Sequence, residues 1–242
     1  MENNRDSFGS NFGFIMAAVG SAVGLGNIWG FPYKISAYGG FAFLLVYLAL
    51  GIFVGLAVMV GEFVIGRKTG LSPIAAYRKL SKKFTWLGYM AVICPFLVLC
   101  FYFVLGGMVM RYAAGYLTAI FGWDTWGVSN IADFFGSFIM NGGQMILWTA
   151  IFIVLNVAIV AGGIGEGIEK FCKVGMPALF VMLIIIIIYV ACQPGAGEGY
   201  KFIFGWDLSP LKEDWLLVLK SAAGQMFFSL SLGMGAMITY GS

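Results

Sequence analysis

Six long apolar runs, separated by short polar or charged connections, divide the chain. They lie at about 11–37, 41–66, 84–111, 144–162, 172–192 and 215–240. Each run has the roughly 20 residues that an α-helix needs to cross the hydrocarbon core of a bilayer. A helix is expected because the bilayer core supplies no water to pair backbone N–H and C=O groups. The pattern therefore predicts an all-α integral membrane protein with six transmembrane helices.

The composition agrees with that prediction and excludes several other classes of protein. Hydrophobic residues make up 61% of the chain and charged residues 10%, with a mean hydropathy of +0.93, whereas a soluble domain has about 25% charged residues. The net charge of +3 is too small to indicate a nucleic-acid partner. The chain has no histidine and no C-x-x-C pair, which excludes a Cys/His zinc site and histidine acid–base chemistry. No pair of carboxylates lies within the apolar runs, so an enzyme is not predicted.

Lysine and arginine predict the orientation in the membrane. With the amino terminus inside, nine of the 14 basic residues fall on the inner side, and six of these nine lie between Arg67 and Lys83. Cytoplasmic connections carry an excess of lysine and arginine. The sequence therefore predicts a multi-pass protein of the plasma membrane with a cytoplasmic amino terminus. The lack of an Asn-x-Ser/Thr glycosylation site favours a bacterial inner membrane.

The first apolar run is interrupted by residues that weaken a helix. Four glycines, an asparagine and a proline fall within the thirteen residues from Gly20 to Pro32, and a glycine costs a helix interior about 1 kcal/mol relative to alanine. A break at this depth frees backbone groups that must face protein or a water-filled cavity. Freed carbonyls and the side-chain oxygen of Asn27 suit a hard cation such as Na⁺ or K⁺. The amino-terminal end of the second half-helix suits an anion.

Close packing of helices is an alternative explanation for the same glycines, because Gly20-x-x-x-Gly24 is a small-x-x-x-small pattern that lets helices approach closely. From this run alone both interpretations remain open. The last apolar run is also interrupted, with two serines followed closely by Gly233 and Gly235. Two interrupted runs in one chain favour a binding site, since paired broken helices mark the sites of secondary transporters.

Glu62 is the one carboxylate within an apolar run. A carboxylate at membrane depth is a candidate functional residue. It lies near the end of its run, so it can also reach the interface or accept hydrogen bonds from the backbone groups that a break frees. We favour the last of these roles, support of a broken helix.

The two interrupted runs resemble the first and sixth transmembrane helices of the neurotransmitter:sodium symporters, in particular the bacterial amino-acid:sodium type. The first match runs from Gly20 to Pro32, and the second from Gly224 to Tyr240. Two further stretches resemble the second and fifth helices of the family: Gly39-Gly40 with Phe43, Tyr47, Glu62 and Gly66-Arg67, and Gly167-Ile168-Glu169-Lys170 with Met176-Pro177.

The resemblance implies a fold of two inverted five-helix repeats. Residues 1–242 are then expected to form a single transmembrane domain, cut short after the first repeat and the first helix of the second, with helices 1 and 6 broken mid-membrane. The implied function is sodium-coupled transport of an amino acid across the plasma membrane. The alternative is a non-transporting half-transporter that needs or regulates a partner chain. The expected partners are the amino-acid substrate, the lipid bilayer, and a second copy or a carboxy-terminal half.

The resemblance also implies roles for particular residues. The first sodium site is expected to use the carbonyl of Ala22 with the side chains of Asn27 and Ser229, and the second the carbonyls of Gly20 and Val23. The implied substrate contacts are Ala22, Leu25, Gly26, Val98, Tyr102, Phe228, Ser229, Ser231 and Met234. A chloride site is implied at Tyr47, Gln225 and Ser229. Structural or gating roles are implied for Arg5 and Glu62.

Gly24 indicates the class of substrate. Monoamine carriers of the family have an aspartate at this point, in place of the carboxylate that their substrates lack. Gly24 leaves room for an amino acid's own carboxylate, and the apolar side chains of Val98, Phe228 and Met234 favour an apolar amino acid. Gly30 departs from the family, which usually has an outer-gate arginine there.

Overall fold

The computed structural model describes residues 9–123 and 130–242. These residues contain helices and no strand. They form twelve α-helices: α1 (Asn11–Ala22), α2 (Phe31–Ala37), α3 (Phe41–Leu50), α4 (Leu56–Thr69), α5 (Pro73–Leu80), α6 (Thr85–Ile120), α7 (Ile131–Met140), α8 (Gly142–Ala161), α9 (Lys170–Ala191), α10 (Ala196–Phe204), α11 (Ser209–Ser229) and α12 (Ala236–Gly241). Short π-helical turns lie at Gly26–Gly30, Gly51–Gly55 and Gly163–Glu169, and a 3-10 turn lies at Lys82–Phe84.

Several of these helices are long and apolar enough to span a bilayer. Four continuous stretches qualify: Phe41–Thr69, Lys82–Ile120, Gly142–Ala161 and Gly165–Ala191. The pair Asn11–Ala22 and Gly26–Ala37, bent by 48°, makes a fifth span if it is counted as one. The predicted all-α membrane architecture is thus confirmed. The count of six stays a prediction, because the last run is divided between α11 and α12, and the first two turns of α11 contain the charged residues Lys212, Glu213 and Asp214.

Helices also form in stretches where the hydrophobic pattern predicts none. These are α5, α7 and α10. The helix predicted to end near residue 111 continues to Ile120, because the stretch that follows contains no proline. It stops just before Gly122, whose φ of +80° does not belong to a helix.

The described chain divides into two compact units, of which residues 93–168 form one. In this unit the guanidinium carbon of Arg111 lies 4.8 Å from the ring centroid of Phe134 and 5.9 Å from that of Trp148. A guanidinium within about 6 Å of a ring face is attracted by the ring's quadrupole. Arg111 therefore links α6 to both α7 and α8.

Residues 9–92 and 169–242 form the other unit, which contains both interrupted runs. Its buried core joins Ile35 of α2 and Phe43 of α3 to Val218 and Ala222 of α11. In the same unit α4 packs against α12, and α1 packs against α9. The two breaks are therefore held within one packed unit.

Both interrupted runs are broken as predicted. α1 ends at Ala22, and Val23 has an extended backbone with φ −98° and ψ 102°. In the last run, residues 230–235 separate α11 from α12. Three residues of this segment have left-handed backbones, with φ of 51° at Ser231, 75° at Gly233 and 67° at Gly235. Glycine adopts this conformation without the steric cost that a Cβ imposes, which is why the glycines fall there.

Candidate functional site

Side-chain hydrogen bonds connect the two interrupted runs. Three of these bonds join a group on α11, or in the segment after it, to a group beside the first break. They run from Ser229 Oγ to Asn27 Oδ1 at 2.5 Å, from Gln225 Nε2 to the Gly26 carbonyl at 2.9 Å, and from Ser231 Oγ to the Ser21 carbonyl at 2.8 Å.

The three groups predicted for the first sodium site lie together. The Asn27 amide donates from Nδ2 to the Ala22 carbonyl at 2.6 Å, and its Oδ1 accepts the hydrogen bond from Ser229. Ala22 is the last residue of α1, so Asn27 reaches back across the break. All three groups carry neutral oxygens, the ligand type that hard cations take. The arrangement can therefore hold a small cation once these hydrogen bonds are given up.

Gln225 supports this cluster from α11. Its side chain is 1% exposed, and Nε2 donates both to the Gly26 carbonyl and to Ser229 Oγ at 3.0 Å. A carboxamide has two N–H donors, and both are used. Of the residues predicted for a chloride site, Gln225 and Ser229 therefore contact each other. Tyr47 packs on Phe31, with 4.9 Å between the ring centroids.

Phe228 closely approaches the first break. A Cβ built on Gly26 would lie 2.2 Å from Cε1 of Phe228, so only glycine fits beneath the ring. Leu25 and Gly26 stand at the start of the helical stretch Gly26–Ala37, where backbone N–H groups and the helix dipole favour a carboxylate. Met234 lies half-buried within the second break.

Ser231 is placed to serve both the fold and a ligand. Its hydroxyl donates to the Ser21 carbonyl. A hydroxyl has one donor and two lone pairs, so this bond leaves lone pairs to accept from an ammonium group. The predicted contact between Ser231 and a substrate amine is therefore compatible with the observed bond.

The remaining predicted ligands lie on or beside α1 and on α6. Gly20 lies within α1, and Val23 is the first residue beyond it. Val98 and Tyr102 belong to α6 in the unit of residues 93–168. Their roles in the second sodium site and in the substrate pocket stay predictions.

Glu62 contacts the second break. The Gly233 N–H donates to Oε1 of Glu62 at 2.7 Å, and the carboxylate is 6% exposed. Its other oxygen, Oε2, has no hydrogen-bond partner among the described residues. The contact is the one expected of a carboxylate that supports a broken helix. Arg5, the other residue predicted to gate, lies outside the described residues.

Glu169 lies in the stretch that resembles the family's fifth helix, but no role was predicted for it. Its carboxylate is 2% exposed, accepts from the Gly9 N–H at 2.7 Å and from Ser10 Oγ at 2.9 Å, and pairs with Lys173 at 2.7 Å. It thereby fastens the start of α1 to α9. Ser10 also caps α1 by accepting from the Gly13 N–H, and such a cap is the one local signal that marks this end of the chain.

The fold and the site together define a class of protein. The chain is a multi-pass α-helical membrane protein whose two broken helices bring neutral oxygens together. Among the described residues no group of three or more His, Cys, Asp or Glu side chains could hold a metal ion. The profile of the Sodium:neurotransmitter symporter family matches residues 5–134 and 128–242. The chain therefore belongs to this family of secondary transporters, as the resemblance predicted.

Individual relatives agree with the assignment. The uncharacterized sodium-dependent transporter YhdH of Bacillus subtilis is 37% identical over 247 residues, which cover 100% of this chain and 53% of YhdH. The sodium- and chloride-dependent taurine transporter of Rattus norvegicus is 27% identical, over 98% of this chain and 44% of its own length. The crystal structure of MhsT in complex with L-phenylalanine matches with a TM-score of 0.88 and 42% identity, over 98% of this chain and 54% of that chain. The chain thus spans about half the length of the curated relatives it matches.

Proposed function

We propose that this chain forms the amino-terminal half of a sodium-coupled transporter of α-amino acids with apolar side chains. The observation that carries the proposal is the contact among the Ala22 carbonyl, the Asn27 amide and the Ser229 hydroxyl, drawn from two broken helices. Close packing of helices needs small residues at the contact. It does not need polar groups that converge from both breaks.

Sodium binding at this point exchanges hydrogen bonds for ion contacts. The Ser229 O–H now points at Asn27 Oδ1, and the Asn27 N–H points at the Ala22 carbonyl. A cation among these oxygens requires both donors to rotate away. It then holds the two broken helices in one arrangement. A substrate that binds this same arrangement raises the protein's affinity for the ion. The ion raises the affinity for the substrate by the same factor, since coupling between two sites is reciprocal.

The amino-acid substrate is proposed to lie beside the ion. Its carboxylate meets the N–H groups of Leu25 and Gly26, with Gly24 leaving room for it. Its ammonium group meets the carbonyls near Ala22 and the hydroxyl of Ser231. Phe228 and Met234 line the part of the side-chain pocket that this unit contributes. L-Phenylalanine, which the MhsT crystal structure contains, is the first amino acid to test.

The proposal extends to the second ion and to the membrane. The carbonyls of Gly20 and Val23 contribute to a second sodium site, at the end of α1. The excess of lysine and arginine between Arg67 and Lys83 supports a cytoplasmic amino terminus in a bacterial inner membrane.

Uptake into proteoliposomes tests the function. The protein expressed from the whole gene is reconstituted, and [³H]phenylalanine accumulation is measured with an inward sodium gradient or with potassium in its place. We expect accumulation with sodium alone. Asn27→Ala is expected to lower the affinity for sodium about tenfold or more, which corresponds to a loss of about 1.4 kcal/mol. The sodium concentration that gives half-maximal uptake should rise accordingly. Asn156→Ala is the matched control, because Asn156 donates at 2.8 Å to the Phe152 carbonyl in the other unit.

The outcomes separate the two candidate functions. Absence of sodium-dependent uptake of any amino acid, or preference for a monoamine, contradicts the proposal. Uptake by the 242-residue chain only when a second chain is co-reconstituted supports the half-transporter that needs a partner. Size-exclusion chromatography of the purified protein then shows whether the partner is a second copy.

A further inference from the structure

A short helix, α5, connects two of the stretches that can span the membrane. One of these stretches ends at Thr69 and the other begins at Lys82, so α5 lies where both leave the hydrocarbon core. Six of the 14 basic residues fall between Arg67 and Lys83, and the sequence contains no acidic residue from Phe63 to Trp123. The connection therefore places positive charge at the level of the lipid headgroups, with no negative charge along the same stretch.

α5 is packed tightly against its neighbours in the unit of residues 9–92 and 169–242. A Cβ built on Gly88 would lie 2.6 Å from Cα of Ile74, so α5 rests directly on the first turn of α6. Lys79 Nζ donates to the Thr69 carbonyl at 3.3 Å, and this bond pairs one of the carbonyls left open at the end of α4. α5 therefore has a fixed position relative to both spans.

The exposed side chains at the end of α5 and the start of α6 combine cations with apolar groups. Arg78 is oriented by the Tyr89 hydroxyl, which accepts from its Nη2 at 3.3 Å. A guanidinium has five N–H donors, so the others remain for a ligand. We call the exposed residues of this surface the basic patch: Arg78, Leu80, Lys82, Lys83, Phe84 and Trp86.

This combination fits an anionic phospholipid better than a soluble phosphate. Each lysine or arginine near an anionic membrane surface strengthens the attraction about fivefold. Tryptophan prefers the headgroup level of a bilayer, where one side of the ring is apolar and the other polar. The exposed side chains of Leu80 and Phe84 gain nothing from a phosphate ion, whereas acyl chains remove them from water.

We propose that the basic patch is a binding site for one anionic phospholipid. The phosphate of the lipid contacts Arg78, Lys82 and Lys83, and its acyl chains lie along Phe84 and Trp86. The site requires a bilayer but neither sodium nor substrate, so it goes beyond the proposed transport function.

Quenching of Trp86 fluorescence by brominated lipid tests the proposal. The protein expressed from the whole gene is reconstituted into vesicles of equal parts phosphatidylglycerol and phosphatidylcholine, in which one lipid or the other carries brominated acyl chains. Quenching that disappears in Trp86→Phe belongs to Trp86. We expect phosphatidylglycerol to occupy this contact about tenfold or more in preference to phosphatidylcholine. Added salt should reduce the preference, because it screens the exposed charges.

Two double variants separate the patch from the overall charge of the protein. Lys82→Gln with Lys83→Gln removes two charges of the patch and should lower the preference about fivefold or more. Lys201→Gln with Lys212→Gln removes two exposed charges from α10 and α11 and should keep the preference of the parent. Circular dichroism checks that both variants keep their helices, and the salt dependence of the parent decides the matter if either does not fold.

The possible results are distinct. Equal quenching of Trp86 by the two brominated lipids, or equal losses in the two double variants, would overturn the proposal, because the positive charge would then serve orientation alone. Displacement of the brominated lipid by glycerol phosphate in the buffer would also overturn it, since the patch would then bind phosphate without acyl chains. Failure of sodium-dependent uptake would leave the lipid preference unchanged, so the two proposals fail separately.

Discussion

Glu62 and Gly233, which are 171 positions apart in the sequence, are joined by a hydrogen bond of 2.7 Å from the Gly233 N–H to Oε1 of Glu62. The φ of 75° at Gly233 removes its N–H from any helical pattern. In an apolar environment that N–H needs another acceptor. The buried carboxylate is that acceptor, so a side chain of α4 completes the backbone of a different broken helix.

Removing this acceptor should destabilise the protein. We expect Glu62→Ala to lower the free energy of unfolding by about 2 kcal/mol, the cost of losing a hydrogen bond to a charged group. Glu62→Gln keeps an acceptor oxygen and should lose less. Denaturant unfolding in detergent micelles, followed by circular dichroism, measures both. Glu198→Ala removes an exposed carboxylate from α10 and serves as the control. Equal stability of Glu62→Ala and Glu198→Ala would show that the bond contributes nothing.

Substitution of Gly26 by alanine tests how closely the two broken helices approach each other. An alanine Cβ there would lie 2.2 Å from Cε1 of Phe228, whereas at Gly30 in the same π-helical turn it would lie 3.9 Å from the nearest atom, Gln225 Oε1. Overpacking of this kind typically costs about 1–3 kcal/mol. Gly26→Ala should therefore weaken sodium-dependent phenylalanine binding about tenfold, and Gly30→Ala should bind like the parent. Equilibrium binding of [³H]phenylalanine measures this, and equal losses in the two variants would contradict the geometry.

The positions of the breaks could be predicted from sequence because their cause is local. Glycine weakens a helix wherever it stands, and Gly233 and Gly235 occupy backbone conformations that few other residues adopt. Asn27 was also identifiable, as a carboxamide among the glycines that interrupt the first run. The partners of these groups follow from packing: the bond from Ser229 to Asn27 spans 202 positions, and no periodicity predicts such a pairing. The family resemblance placed them together, and residue spacing alone did not.

Ser21 and Glu169 show where sequence reasoning ends. Ser21 is one more small residue in a glycine-rich run, and only its contact with Ser231 distinguishes it. Glu169 has a visible partner in Lys173 four positions on. Its bonds to Gly9 and Ser10 depend on the packing of α1 against α9. Local propensity does not specify such contacts, because they form only when distant helices meet.

Gly13 should be intolerant of alanine although it lies in a helix. A Cβ there would lie 2.1 Å from Oε1 of Glu169, whose carboxylate is already held by Ser10 and Lys173. We expect Gly13→Ala to lower the free energy of unfolding by about 1–3 kcal/mol. Gly224→Ala is the matched change, since a Cβ at Gly224 meets nothing within 4 Å. It should raise stability by up to about 1 kcal/mol through helix propensity. Denaturant unfolding of both variants measures the contrast, and a gain at Gly13 would refute the close contact.

The last prediction concerns chloride. Two of the residues expected to bind it, Gln225 and Ser229, already use their hydrogen-bond donors within the protein. Both N–H groups of Gln225 are donated, to the Gly26 carbonyl and to Ser229, and the Ser229 hydroxyl is donated to Asn27. A bound anion needs donors of its own, and taking them from Gln225 would break its bonds to the Gly26 carbonyl and to Ser229, each worth about 0.5–1.5 kcal/mol. We therefore expect sodium-dependent phenylalanine uptake to be unchanged when gluconate replaces chloride.

A Gln225→Leu variant completes the chloride experiment. Leucine is similar in size to glutamine but has no hydrogen-bond donors. The variant should therefore reduce uptake because the first break loses its support, and the reduction should be the same in chloride and in gluconate. Loss of uptake by the parent in gluconate would contradict the prediction. A chloride dependence that Gln225→Leu abolishes would place the anion at Gln225, since only a ligand of that side chain would lose its effect with it.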